Sequence, residues 1–518
     1  MRSPAAKRKP KSPAKTDVER LWEIIEAPHP HGDPTVPSMS FFSWRNDPYA
    51  SVQRGYGYEA MRVDSDEFKA WLRRAFLACE KRPVSQSALR NTIAALIDLA
   101  IDEPEQTAFR RTGRGELWWY IDLANEQREF AVIRGGEWEI SSHAPTGLPS
   151  GGVSMREEVA PQFVRSRMMR PLQKPMEHGP IDLMNGMPCR ASIMALEELR
   201  AILKLSSRAD FQLLMTWCVA ALIPEGPYPV LAIGGPQGAA KSTLARLLHE
   251  LIDPSHAPLR SLPTSEKELF IAASNAYLLA FDNVSSIPHK ISDGLCKLST
   301  GGSFSLKKIG SNTDEVFVQF KQPVILNGIA ELIQRPDLTD RTIFLDLPAI
   351  APEERREFKE VYDNFKDRLP AIFGAVLDLV ALAKHNWHLV HENALPRMAE
   401  FAKIGIAIER VFGKSGCFRQ AYDANRIQAS DELFELDPLA LAILRLRESE
   451  GSWEGTTEDL RKKLLEQGNG KLAHGVPSGL AQLAGHLKRI TPVLENRQVV
   501  VHSARTVTPD RRRIIHIW

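Results

Sequence analysis

The 518-residue chain has few cysteines, almost no net charge and no long apolar run, and each shortage removes a class of function. Cys79, Cys189, Cys218, Cys296 and Cys417 are scattered without a C-x-x-C pair or clustered histidines, so neither a zinc site nor a disulfide framework is indicated. The longest apolar stretches, residues 213–223 and 371–383, are too short to cross a bilayer, and Asp378 interrupts the second. No apolar segment of the secretory type follows the first residues, so a cytoplasmic protein with no membrane partner is expected. Residues 20–150 also lack the carboxylate cluster that a primer-synthesising centre needs.

Formal charge is +2, from 66 basic and 64 acidic residues. The first fifteen residues nevertheless hold six Lys or Arg and no acid, interleaved with Pro, Ser and Ala. Such a segment buries too little apolar surface to fold, and residues 1–20 are read as a disordered basic tail, suited to a polyanion or simply to solubility. Length alone suggests roughly three or four domains.

Residues 21–150 are read as a small α+β domain of unknown role. Phe68, Trp71, Leu72, Ala75 and Phe76 form one helical stripe and residues 88–100 a second, followed by short strands over 117–123, 129–134 and 137–140. Residues 21–57, rich in Pro, Gly and aromatics, resist assignment. A Gly-rich linker at 147–152 opens the span 151–180. From 181 to 350 strands and helices alternate, which argues a parallel, helix-covered sheet. Residues 351–430 read as a helical lid and 438–518 as a separate unit.

The densest chemistry lies at Gly235-Pro236-Gln237-Gly238-Ala239-Ala240-Lys241-Ser242-Thr243, which follows an apolar strand and opens a helix whose Leu244, Leu247, Leu248, Leu251 and Ile252 recur on one face. Backbone N–H groups of such a loop converge on phosphates, Lys241 adds a point charge, and the Ser242 hydroxyl can hold Mg²⁺, so ATP and Mg²⁺ are the expected cofactors. Ala240 stands where such loops usually carry a last glycine, and Ala reaches φ > 0 less easily. An ordinary Gly-rich turn is the rival reading.

Two further apolar strands end in polar groups. Residues 277–283 end on Asp282-Asn283, with Asp282 placed to hold Mg²⁺ and Asn283 where a water-activating acid often stands; an amide positions water but cannot take its proton. The general base is unassigned, with Asp293 a weak candidate. Residues 322–328 end on Asn327, which either orients the attacking water or forms a plain Asn-Gly turn. Beyond them lie Arg335 and Arg341. Arg341 is the first choice, and Arg335 the second, for a cation reaching a neighbouring copy's nucleotide, against a local pair with Asp337 or Asp340.

The series GPQGAAKST, LLAFDN, TGGSF, PVILNG and RPDLTDRTIFLDLP resembles the AAA+ ATPase core, specifically superfamily 3 helicases and the primase-helicase-like ATPases of phages and integrated elements. The resemblance covers about residues 180–430; more loosely, the whole chain resembles an uncharacterised bacterial family of prophage-type ATP-binding proteins. It implies a homo-oligomeric ring, usually a hexamer, with nucleotide between subunits, single-stranded DNA in the pore, and a pore loop between Asp282 and Asn327. Residues 299–308 fit that loop: Phe304 could stack on a base and Lys307 and Lys308 contact phosphates, unless they form an ordinary surface hairpin.

Three helices and a β-hairpin over 438–518 suggest a winged helix-turn-helix. Lys488 and Arg489 on its third helix, with Arg511, Arg512 and Arg513 in the wing, suit duplex DNA, although such modules also dock proteins. The expected fold is therefore α/β, a P-loop AAA+ core with parallel sheet and helical lid, plus an N-terminal α+β domain and a C-terminal winged helix. The expected function is an ATPase and DNA helicase or replication initiator of a phage or mobile element. A nucleotide-gated DNA-binding regulator or defence-associated switch, which Asn283 favours, is the main rival, and a small-molecule kinase a third.

Overall fold

A computed structural model describes residues 15–27, 39–54, 57–142, 161–307, 315–328, 333, 335–392, 394–468, 470–473, 476–505 and 513–518. The chain divides into two compact units. The first comprises residues 1–134 and 138–172, the second 135–137 and 173–518.

In the first unit, the helix Asp17–Glu26 starts inside the expected tail, while residues 1–14 lie outside the described ones. Its start is written in Thr16 and Glu19, a reciprocal capping box that satisfies two orphan backbone donors. The segment that resisted assignment is a three-stranded antiparallel meander, Met39–Trp44, Asp47–Arg54 and Gly57–Arg62. Its first turn was illegible because Arg45 (φ 55°) and Asn46 (φ 63°) take the left-handed conformations of a tight hairpin without the Asn-Gly that usually signals one. Helices Asp66–Glu80 and Gln86–Asp102 follow, and Phe68, Leu72, Phe76, Ile93 and Leu96 share a core with the meander. Strands Thr112–Arg114, Trp119–Asp122, Phe130–Arg134 and Glu137–Ser141 form a second sheet in that order. Within the span expected to be linker, residues 151–160 are outside the described ones, but Gln162–Phe163 pairs in parallel with Ala108–Phe109.

The second unit is mixed α/β around a four-stranded parallel sheet. Its order is acid strand Leu279–Val284, amide strand Val324–Gly328, loop strand Val230–Gly234, edge strand Thr342–Asp346. Arg260 adds a bridge to Phe281 outside the acid strand. Both faces are buried, which is why these strands read as continuous apolar runs rather than alternating ones. Val230, Ala232, Leu279, Phe281, Val324 and Leu326 face helices Glu266–Asn275 and His289–Thr300 on one side. The loop helix Lys241–Ile252 packs on the sheet, burying Leu244, Leu247, Leu248, Leu251 and Ile252, the expected stripe. Between the acid and amide strands an antiparallel hairpin, Gly302–Lys307 with Glu315–Phe320, is inserted.

Residues after the edge strand are helical, as the pattern indicated. The helix Phe358–Asn386 runs 29 residues, longer than its apolar stretch suggested, and is apolar enough to pass for a membrane span. It is instead a core helix, with residues 372–383 wholly buried in this unit. Helices Ala399–Ile408 and Cys417–Leu436 complete the layer. Asn425 of the last one closes the sheet: its side chain accepts from the Phe344 N–H (3.1 Å) and donates to the Phe344 carbonyl (2.7 Å), standing in for a fifth strand at the exposed edge.

Residues 438–518 hold helices Pro438–Glu450, Thr457–Gln467 and Leu480–Asn496 around their own apolar cluster. The sheet beside them has three strands rather than the two expected, in the order Trp453–Thr456, Arg513–Ile517, Val501–Arg505. Trp453–Thr456 went unread because it is four residues long and contains Gly455. Replacing Asn425 by Ala leaves both Phe344 backbone groups without this partner and should lower stability by about 1–3 kcal/mol, read as an earlier urea unfolding transition. An unchanged midpoint would show that the edge needs no such cover.

Candidate functional site

Three strand ends converge at the carboxyl side of the sheet. Gly234 ends the loop strand, Asn327 lies beside Ile233 on the neighbouring amide strand, and Asp282 lies on the next strand out. Because the amide strand separates the other two, the loop and acid strands are roughly 10 Å apart, and the loop helix must reach across. It does so through Ser242, whose hydroxyl donates to Asp282 Oδ1 at 2.8 Å.

The loop has the backbone its sequence requires. Gly235 (φ 122°) and Gly238 (φ 82°) take conformations that L side chains avoid, and a Cβ on Gly235 would lie 2.5 Å from the Leu347 carbonyl oxygen. Ala240 adopts the left-handed conformation (φ 62°, ψ 27°) at the helix N-cap, so the missing glycine is replaced by a strained alanine and not by a different turn. The first N–H groups of the helix, at Lys241, Ser242 and Thr243, have no intrahelical acceptor. Lys241 Nζ lies over the loop, bound to the carbonyls of Gly235 (2.7 Å) and Pro236 (2.9 Å). Pro236, Gln237 and Gly238 are exposed, whereas Ala239 is buried.

Asn283 has a structural reason to be Asn. The acid strand bulges between Phe281 and Val284, Asn283 sits there at φ 54°, and Asn tolerates that conformation better than Glu. Its backbone N–H is shared between Asp282 Oδ1 (3.0 Å) and Asn327 Oδ1 (2.9 Å), while the residue is exposed. Asn327 is 1 % exposed, and its Nδ2 has no hydrogen-bond partner among the described residues. A buried amide donor without a partner is costly and marks a place where an acceptor fits. The paired hydroxyl and carboxylate of Ser242 and Asp282 are oxygen ligands of the sort a hard divalent cation takes.

The other expected residues lie elsewhere. Arg341 precedes the edge strand at the opposite end of the sheet, where its carbonyl accepts from the Val230 N–H (2.9 Å). Five residues of strand, about 16 Å, separate that level from Gly234, so Arg341 is remote from its own chain's loop. Its Nη1 donates to the Asp337 carbonyl (2.6 Å) and its buried Nε has no partner among the described residues. The rival reading, a carboxylate pair, does not hold for Arg341: Asp340 is taken by Arg397 and Arg426. Arg335 is instead paired with Asp293 at 2.5 Å, which ties up both the second-choice arginine and the weak base candidate. Lys488 and Arg489 are exposed on the helix Leu480–Asn496. The backbones of Phe304, Lys307 and Arg513 belong to strands, but their side chains, and Lys308, Arg511 and Arg512 entirely, lie outside the described residues.

Two neighbours of the loop were missed from sequence. Arg355 Nη2 lies 3.8 Å from where a Cβ on Gly238 would be, and its Nε donates to the Ile350 carbonyl (3.4 Å). The Asp346 carboxylate leans over Gly234, where a Cβ would meet Oδ1 at 2.1 Å. Burial, and then the nearby Asp210 carboxylate, push the Asp346 acid above its ordinary range. Sequence spacing signals neither residue, because both reach the loop only through the pairing of the edge strand with the loop strand.

Two family models match the chain. Residues 196–430 match the Actinomycete integrative conjugative element replication protein, and residues 439–518 match the AICE RepA C-terminal domain. These residues thus carry, in order, the two regions of a replication-protein family of mobile elements, in line with the integrated-element part of the resemblance. No curated protein matches. Solved structures similar to the chain include the apo NrS-1 C terminal region, 11 % identical over 93 % of this chain and 96 % of that one, with a TM-score of 0.38. The JCV helicase is 16 % identical over 43 % and 61 %, with a TM-score of 0.22. Both are too distant to bear on activity.

Ala240→Gly should relieve the left-handed alanine and stabilise the second unit by about 0.5–1 kcal/mol in denaturant unfolding; a loss would mean the strain is not real. Asp346 provides a pH test. An acid whose folded pKa is raised costs stability above that pKa and recovers it as pH falls toward the unfolded value. Asp346→Asn should therefore raise the melting temperature more at pH 7 than at pH 4, and a pH-independent shift would contradict the burial.

Proposed function

We propose that this chain is an ATP-dependent AAA+ motor acting on DNA, a replicative helicase or initiator of a mobile element, working as a ring of copies, a hexamer by resemblance. The observation that carries the reading is the join of Ser242, Asp282 and, through the Asn283 N–H, Asn327 at the mouth of a glycine loop, with the Asn327 Nδ2 left without a partner among the described residues. The family matches supply the DNA context. In this reading residues 181–350 are the P-loop core, 351–430 its lid and 438–518 a winged helix.

ATP supplies the phosphoryl group when bound, and Mg²⁺ neutralises its charge. Lys241 exchanges its two loop carbonyls for phosphate oxygens. The N–H groups from Gln237 to Thr243 line the loop, Ser242 and Asp282 hold the metal, and Asn327 donates to the terminal phosphate or the attacking water. Arg355 adds a cation from the same chain beside Gly238. Arg341, too far from its own loop, serves the neighbouring copy, and Arg335 stays with Asp293. Phe304, Lys307 and Lys308 belong to the hairpin proposed to grip single-stranded DNA, while Lys488, Arg489 and Arg511 to Arg513 meet duplex.

One observation favours a slower machine. Asn283, exposed and unable to accept a proton, leaves the attacking water without an evident base, so a nucleotide-gated switch that assembles on DNA without translocating is the second reading. ATP turnover stimulated several-fold by single-stranded DNA supports the motor; turnover indifferent to DNA supports the switch.

Arg341→Ala should cut turnover by about 10³-fold, and Lys241→Ala should abolish it. Mixed in equal amounts, the two inactive variants should regain activity, because about a quarter of interfaces then join an intact loop to an intact arginine. A mixture as dead as its components would place Arg341 outside the neighbour's site.

A further inference from the structure

The segment that follows the edge strand crosses the outside of the loop helix. Arg355 brings its guanidinium beside Gly238, and three residues later Phe358, which opens the helix Phe358–Asn386, holds its ring 5.1 Å from the guanidinium of Arg246. Arg246 stands one turn beyond Ser242 and Thr243, about 6 Å along the loop helix from Ser242 and on the face the two share. Helical side chains lean toward the N-terminus of their own helix, so this guanidinium and the ring above it lie back over the turn that carries Ser242 and Thr243. Phe358 is 40 % exposed, and Arg246 is exposed with no hydrogen bond or ion pair among the described residues. Tyr362, one turn on, lies 5.5 Å from Phe358 with the ring planes 30° apart, and Lys366 Nζ lies 5.9 Å from the Tyr362 ring. The surface beside the loop is thus a ladder of cation, ring, ring and cation.

We infer that Phe358 seats the nucleobase of the triphosphate held by the loop. Ser242 turns its hydroxyl to Asp282, which sets the metal and the terminal phosphates toward the acid strand. Thr243 lies about 100° further round the helix, so the nucleoside end leaves past Thr243, along the face that Arg246 and Phe358 cover. A purine is a flat plate, and an exposed ring within reach of the ribose takes it by stacking. The Arg246 guanidinium lies on that ring through the cation–π attraction alone, which is weak at an exposed site. It gives its place to the base and turns to the α-phosphate, as Lys241 turns from its two carbonyls. A ring reads a base by its face and not by its edge, so this seat favours the larger purine face over a pyrimidine. The inference rests on the reading of the loop as a triphosphate site and adds the end of the ligand that the loop does not touch.

The test compares binding of ATP, CTP and inorganic tripolyphosphate, which has the phosphates and no base, to the full chain with Mg²⁺ by calorimetric titration. The parent chain should bind ATP several-fold more tightly than CTP. Phe358→Ala should weaken ATP about tenfold and bring it level with CTP, while tripolyphosphate changes by less than about twofold; Phe358→Tyr should keep ATP within about twofold of the parent. Unchanged tripolyphosphate binding also shows that the alanine variant is folded around its loop. An ATP affinity unchanged in Phe358→Ala, or equal loss of ATP and tripolyphosphate, would overturn the base seat and leave the loop reading standing. A parent chain that binds neither ATP nor tripolyphosphate would overturn both.

Discussion

The hydroxyl of Ser242 on the carboxylate of Asp282 is the contact on which the site depends, because it joins two strands that are not neighbours. The amide strand lies between them, and Asn327 at its end accepts from the Asn283 N–H, so three strand ends are bound into one rim. Each part restrains the others. The left-handed Asn283 exists because its N–H must face both Asp282 and Asn327, and the bulge exists because Asn283 is left-handed. Removing the link to Asn327 leaves its buried amide oxygen without that donor, which costs more than the bond itself contributes.

The sheet supplies the geometry at a distance. Pairing of the edge strand with the loop strand brings Asp346 onto Gly234 and Leu347 onto Gly235, so the two glycines are demanded by packing as well as by conformation. The same strand separates the two arginines in position. Arg341 enters it at the end far from the loop, and Arg355 leaves the segment beyond it beside Gly238. One short strand thereby carries a cation toward its own chain's loop and another away from it. Asn425 guards that strand's open side.

Much of this was legible in the residues. The order of strand, glycine loop and helix, the buried stripe of the loop helix and the polar ends of two later strands follow from periodicity and from where Asp and Asn fall. What stayed hidden depends on conformations or contacts without local signals. The hairpin at Arg45-Asn46 uses left-handed residues other than glycine, the strand Trp453–Thr456 is too short to show a period, and Arg355 reaches the loop only through tertiary structure. The pairing of Arg335 with Asp293 is hidden for the same reason, since the two lie 42 residues apart. Asn283 reads from sequence as a missing acid and from structure as a backbone requirement.

Ser242 and Asp282 are proposed here as a metal site that receives a triphosphate. Calorimetric titration of ATP into the full chain, with and without Mg²⁺, tests it most directly. Binding should need the cation and disappear in Asp282→Ala. Binding of equal strength in chelator, or in that variant, would contradict it.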